Sequence, residues 1–231
     1  MTDTLATDIA APSEKPMPAR ALNAIELRVL GTLIEKSLTT PEQYPLTLNS
    51  TRVGCNQKTS REPISQYDER AIGMAMRDLI DLKLVKEVFP PDRGAVKYEH
   101  RLGVLLDLRA PSVALLGVLM LRGLQTPGEL RQNGNRMHAF ESVEHLIDVL
   151  DRLAARSPAL VQKLGRGPGQ REDRYAQLLA GPPSAEAIAN YRMSEPPAYT
   201  ADDMAALRQE IAALRTRIEA LEQLEAERNG T

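Results

Sequence analysis

The chain has 231 residues, 42% of them apolar, and its 29 Lys and Arg stand against 31 Asp and Glu for a formal charge of −2. That length suits two modest domains rather than a large multidomain enzyme, and near-neutrality means that any affinity for nucleic acid must come from local patches. The single cysteine, Cys55, excludes an internal disulfide and a thiolate zinc cage, and a chain with no Trp and only 2 Phe lacks the aromatics of a single-strand stacking platform.

Residues 1–19, rich in Ala, Thr and Pro without an apolar block, read as a disordered tail. They show no secretory signal, and the longest apolar run, from Val113 to Leu121, is far shorter than the roughly twenty residues that span a bilayer. A soluble, cytoplasmic protein without contact to membrane is the expectation. From Ile25 to Lys36, Ile25, Val29, Leu30, Leu33 and Ile34 fall on one helical face. Pro41 stops that helix, and a shorter one is expected over Leu46 to Val53. A third starts from Asp68 as N-cap and runs to about Lys83, with Ile72, Ala75, Met76, Leu79 and Leu82 facing inward. Two short strands follow, VKEVF from Val85 and VKYEHRL from Val96, joined by the turn sequence PPDRGA.

The pattern then repeats. LGTLIEKSLTTP from Leu30 and LGVLMLRGLQTP from Leu116 agree at six of twelve positions, among them Gly31 with Gly117 and Pro41 with Pro127. Further on, strands LVQKL from Leu160 and RYAQLL from Arg174 flank the turn GRGPGQRED. The second copy is shorter by about nine residues, and the piece it lacks lies in YPLTLNSTRVGCNQKTS of the first. Three helices followed by a two-stranded hairpin form a winged helix, a variant of helix-turn-helix. The expected fold is therefore mainly α, in the α+β sense of winged helices: two tandem winged-helix domains over 20–106 and 107–180, each burying its own core.

Residues 181–200, with paired prolines at Pro182, Pro183, Pro196 and Pro197, read as a linker. Beyond it, in 201–231, Met204, Leu207, Ile211, Leu214, Ile218 and Leu221 recur in alternating steps of three and four, the seam of a coiled-coil-like helix. So short a helix needs a partner. The same helix in a second subunit, giving a homodimer, is the first candidate; a groove on the chain's own body is the second, and another protein the third.

The stretch LIEKSLTTPEQYPLTLNSTRVGCNQKTSREP, from Leu33 to Pro63, closely resembles the signature of the YceH family of bacterial proteins. LRGLQTPGELRQNGNRM, from Leu121 to Met137, resembles that family's second landmark, and the likeness extends over roughly Leu22 to Leu179. The resemblance implies a pair of winged-helix domains. It carries over no catalytic or ligand residue, because the family's function is uncharacterised.

Charge by segment gives a first test of DNA binding: −2 for the tail, +2 for each domain and −4 for residues 181–231. The outward side of the first domain's third helix offers Arg70, Met74, Arg77, Asp78 and Asp81; its counterpart offers Glu144, His145, Asp148, Asp151, Arg152 and Arg156. Both read as solvated faces with internal ion pairs, although Arg70 and Arg77 suffice for bidentate contacts to guanine. Between Asn49 and Arg61 lie Arg52, Lys58 and Arg61 without an acid, either a surface for phosphate or a loop satisfying its own backbone. The first hairpin adds Arg93 and Lys97. The second adds Lys163, Arg166, Arg171 and Arg174 around Gly165, Gly167 and Gly169, a contact surface or merely a flexible tip.

Enzymatic readings find little support. The glycines lie between strands rather than before a helix, so they make no nucleotide fingerprint. His100, His138 and His145 lack metal-ligand spacing and read as exposed or capping residues. Cys55 reads as a small core residue, with redox sensing as the minority alternative. No cofactor, metal or catalytic residue is expected. The leading expectation is a non-enzymatic protein that binds double-stranded DNA, with transcriptional regulation as its setting; the alternative is an adaptor whose winged helices contact an unidentified protein.

Overall fold

Asn23 begins the first helix, α1 (Ala24–Thr39): its side chain accepts from the N–H groups of Ile25 and Glu26, and the Glu26 carboxylate accepts back from the Asn23 N–H. This reciprocal cap satisfies donors that a helix start would otherwise leave orphaned. In the computed structural model, which describes residues 16–91, 94–166, 172–194, 209, 211–218 and 221–222, the chain is mostly helical with two small antiparallel sheets.

After α1, Pro41–Gln43 forms a 3-10 turn and Leu46–Thr47 a short strand, β1. The second helix, α2 (Leu48–Cys55), starts two residues later than the sequence suggests. The reason is local: Leu46 and Thr47 pair with Tyr98 and Lys97, and the Thr47 hydroxyl caps α2 by accepting from the Ser50 N–H. Asp68 caps α3 (Glu69–Asp81) as expected, accepting from the Ala71 N–H at 2.7 Å, and Ile72, Ala75, Met76 and Leu79 are buried. Strands β2 (Val85–Val88) and β3 (Lys97–His100) complete a sheet of order β1-β3-β2. The residues after His100 leave the strand that the sequence assigns them to: Leu102–Leu106 is a helical turn, α4, ended by Asp107 at a left-handed φ of 52°.

The same order recurs in α5 (Ala110–Arg122), α6 (Pro127–Gly134), α7 (Val143–Ala154), β4 (Val161–Leu164) and β5 (Arg174–Gln177). Here α6 begins directly at Pro127 behind the Thr126 cap, and a single bridge between Gln125 and Tyr175 stands where the first half has β1. Between the prolines of the expected linker lies a helix, α8 (Ala185–Ser194), whose first turn is capped by the Ser184 hydroxyl; the prolines flank it rather than interrupt it.

The two halves meet along α1 and α5, the most extensive packing between any two elements. One continuous core runs through the contact, including Leu30, Leu33, Ile34, Leu115, Leu116 and Leu119. The matched glycines of the repeat lie at this crossing. A Cβ on Gly117 would come within 2.8 Å of Ile34 Cγ2, and one on Gly31 within 3.0 Å of Leu121 Cγ. Both helices therefore carry a residue without a side chain where their backbones approach. The end of the N-terminal segment is docked as well: Pro16 O accepts from Arg156, Met17 packs on the core, and the Leu22 N–H donates to Leu179 O at 2.8 Å. The earlier part of that segment, 1–15, lies outside the described residues.

Candidate nucleic-acid interface

The outward face of α3 is built by its inward one. With Ile72, Ala75, Met76 and Leu79 held in the core, helical periodicity turns Arg70, Met74, Arg77 and Asp81 to solvent. Arg70 and Arg77 are exposed, and neither makes a hydrogen bond or ion pair among the described residues. Asp78 is drawn aside, 3.8 Å from Arg20. Met74 stands half exposed between the two arginines. Lys58 is exposed, Lys97 half-buried on β3, and Arg52 donates to Asn49 Oδ1 on its own helix at 2.9 Å. Arg93 and Arg171 lie outside the described residues.

Arg61 is different. Its side chain is buried, with Nη1 and Nη2 on the two carboxylate oxygens of Glu35 at 3.1 and 2.6 Å, Nε on Gly54 O, and Nη2 also on Gln57 Oε1. Burial works against the Glu35 charge, but Arg61, with Lys36 beside it, holds the carboxyl below its usual range. A guanidinium so committed is an internal brace rather than a phosphate contact, which corrects the sequence reading of Arg61.

The loop around it is tied down at several points. Asn56 exchanges two hydrogen bonds with the Tyr67 backbone at 2.8 Å, and buried Arg28 donates to Cys55 O, Pro63 O and Ser65 Oγ. The Glu62 N–H donates to Leu121 O and Arg122 to Ser60 Oγ, so the loop ties the first half to the end of α5. Of the three cations assigned to this segment, Lys58 remains open, Arg52 is half-buried and Arg61 is consumed. The sequence reading missed Arg28 and Glu35; a charged residue on the apolar side of the α1 pattern was the available signal.

In the second half the corresponding cations are neutralised. Lys163 Nζ lies 3.0 Å and Arg166 Nε 3.6 Å from Asp173, and Lys163 chiefly keeps the Asp173 carboxyl below its ordinary range. Arg174 is buried with Nη1 2.8 Å from Glu129, the residue that closes the capping box of α6. The outward face of α7 carries Glu144, Asp148, Asp151 and Arg152. Arg156, expected on that face, is buried and donates to Leu106 O and Pro16 O.

Cys55 is fully buried, and burial pushes its thiol up to about 11, which suits a packed core residue. His100, expected at the surface or a cap, is instead mostly buried where β3 meets α1. Its Nε2 lies 3.0 Å from Ser37 Oγ, and desolvation holds the imidazole down at about 4. Among the described residues no three of His, Cys, Asp and Glu come together as a metal site, and no helix is long and apolar enough to cross a membrane. Ile211, Leu214, Ile218 and Leu221 lie in helical residues and are about half exposed, while Met204 and Leu207 fall outside the described residues.

Residues 22–170 match the family model described as "Protein of unknown function, DUF480". A UPF0502 protein of Mesorhizobium japonicum is 45% identical over 204 residues, covering 87% of this chain and 96% of the relative. One from Geotalea daltonii is 48% identical over 168 residues, 72% of this chain and 76% of its own, and one from Ectopseudomonas mendocina 45% over 197 residues, 85% and 88%.

Proposed function

The chain belongs to the DUF480 family of uncharacterised bacterial proteins, consistent with its YceH-like motifs, and from that premise we propose that it is a non-enzymatic, cytoplasmic, tandem winged-helix protein that binds double-stranded DNA. In this reading, 20–106 and 107–180 are the two winged-helix domains, α2 and α3 form the helix-turn-helix of the first, and transcriptional regulation is the setting. The observation that carries it is the pair of exposed, unpartnered arginines, Arg70 and Arg77, on the outward face of α3. Seven residues apart, they lie two turns along one face, so both reach base edges when α3 enters the major groove. Lys58 and Lys97 supply phosphate contacts, which set position rather than sequence. Residues 201–231 join two copies into a homodimer.

Fluorescence anisotropy with duplex DNA tests this. Affinity falls as salt rises, with a log–log slope of about −0.9 for each phosphate neutralised. Micromolar protein that shows no salt-sensitive binding at low ionic strength contradicts the proposal.

A second reading, a protein adaptor, is favoured by one feature. The α7 face of Glu144, Asp148 and Asp151 suits a basic protein surface better than DNA. Capture from nuclease-treated lysate separates the readings, since a partner bridged by DNA is lost and a direct one is retained.

A further inference from the structure

The C-terminal helix leaves an apolar stripe without cover. Ile211, Leu214, Ile218 and Leu221 are 45%, 53%, 54% and 56% exposed, so none of the described residues covers the stripe. We propose that this helix pairs with the same helix of a second copy, parallel and in register, and that Arg217 of each copy pairs with Glu222 of the other. The inference rests on the self-association proposed above and is independent of DNA binding.

Two features of the seam select this occupant and this direction. Ile211 and Ile218 fall at the a positions of the heptad and Leu214 and Leu221 at d, so β-branched residues alternate with leucine. That is the combination that favours two parallel strands, because β-branched side chains fit the a layers and leucine the d layers of such a dimer. The flanking charges agree. In a parallel pair, the g residue of one helix meets the e residue five positions later on the other. Arg217 at g then meets Glu222 at e, twice by symmetry. The sequence places Glu210 at g five residues before Arg215 at e, a second pair of opposite sign. An antiparallel pairing centred on the same seam instead sets Arg215 against Arg215 and Arg217 against Arg217 of the other copy.

Sedimentation equilibrium on the full chain, 25.5 kDa per copy, gives a concentration-dependent dimer. Ile218→Asp abolishes it. Arg217→Glu sets like charges together on both sides of the seam and raises the dimer Kd by about tenfold, while the double variant Arg217→Glu/Glu222→Arg restores it. The substituted positions are exposed, so the thermal melt of the helical body followed by circular dichroism is unchanged in every variant. A chain that stays monomeric at all concentrations overturns both the self-association and this pairing. A dimer that survives Ile218→Asp, ignores Arg217→Glu or is not restored by the charge exchange overturns the parallel pairing alone. Loss of DNA binding without change in these masses bears only on the DNA reading.

Discussion

The two halves run through the same order of helices and strands, and each pairs a buried arginine with a glutamate, but they differ in the charge left on the outward face of the third helix. In the first, Glu35 and Arg61 are spent on an internal brace, and the outward α3 face keeps Arg70 and Arg77 open to solvent. In the second, Asp173 and Glu129 draw in Lys163, Arg166 and Arg174, and the outward α7 face is acidic. Equal net charges of +2 thus conceal different surfaces. What a cation can do depends on whether a carboxylate stands within about 4 Å of it, not on how many basic residues its segment contains.

The largest effect expected from breaking this contrast is at the brace. Arg61→Ala leaves the largely buried Glu35 carboxylate with Lys36 alone, 3.4 Å away, and takes the donor from Gly54 O; it costs about 3 kcal/mol in denaturant unfolding, the low end of the range for removing one partner of a buried pair. The exposed Lys163 pair, mutated to Lys163→Ala, leaves the unfolding midpoint where it was. If the two variants behave alike, the distinction between brace and surface pair is wrong.

Acid should sharpen the contrast further. His100 titrates near 4 in the folded chain and at its ordinary 6.5 when unfolded, so the unfolded state takes up the proton first. Its contribution is therefore complete above pH 6.5 and lost as pH falls toward 4, by on the order of 3 kcal/mol. His100→Gln flattens that part of the stability profile. Glu35 acts in the same direction at lower pH: its folded value is depressed, so its stabilisation holds above the unfolded carboxyl range and disappears as pH falls through the folded value.

The contact between the halves ranks next. Gly31→Val places methyl groups against Leu121 Cγ and Met120 Cβ, which already lie 3.0 and 3.1 Å from a bare Cβ. Overpacking there costs about 1–3 kcal/mol, read from the unfolding midpoint. At the proposed interface, Arg77→Ala weakens duplex binding by about 1–3 kcal/mol if its contact to guanine is bidentate, while the melt is unchanged.

Much of this architecture is legible in the chain because apolar spacing and capping residues are local signals. Asp68 and the Ile72, Ala75, Met76, Leu79 stripe fix α3, and the six-position match between Leu30 and Leu116 announces the recurrence. The same match holds the key to how the halves meet, since Gly31 and Gly117 coincide in it, but a glycine shows what it packs against only in three dimensions. Helix α8 escapes notice because prolines on both sides dominate the local composition. The fate of each cation is equally non-local. Glu35 and Arg61 are 26 residues apart and Glu129 and Arg174 are 45 apart, so no window along the sequence brings the partners together. The exposure of Arg70 and Arg77 is legible because it follows from the periodicity of a single helix, but the internal ion pairs expected on that face do not involve them among the described residues.

The most direct test compares two double variants at low salt by anisotropy with duplex DNA. Arg70→Glu/Arg77→Glu is expected to abolish salt-sensitive binding, whereas Lys163→Glu/Arg166→Glu retains it, with both variants melting as the parent does. Retention in the first with loss in the second, or a parent chain that binds no duplex at all, would contradict the assignment of the DNA face to α3.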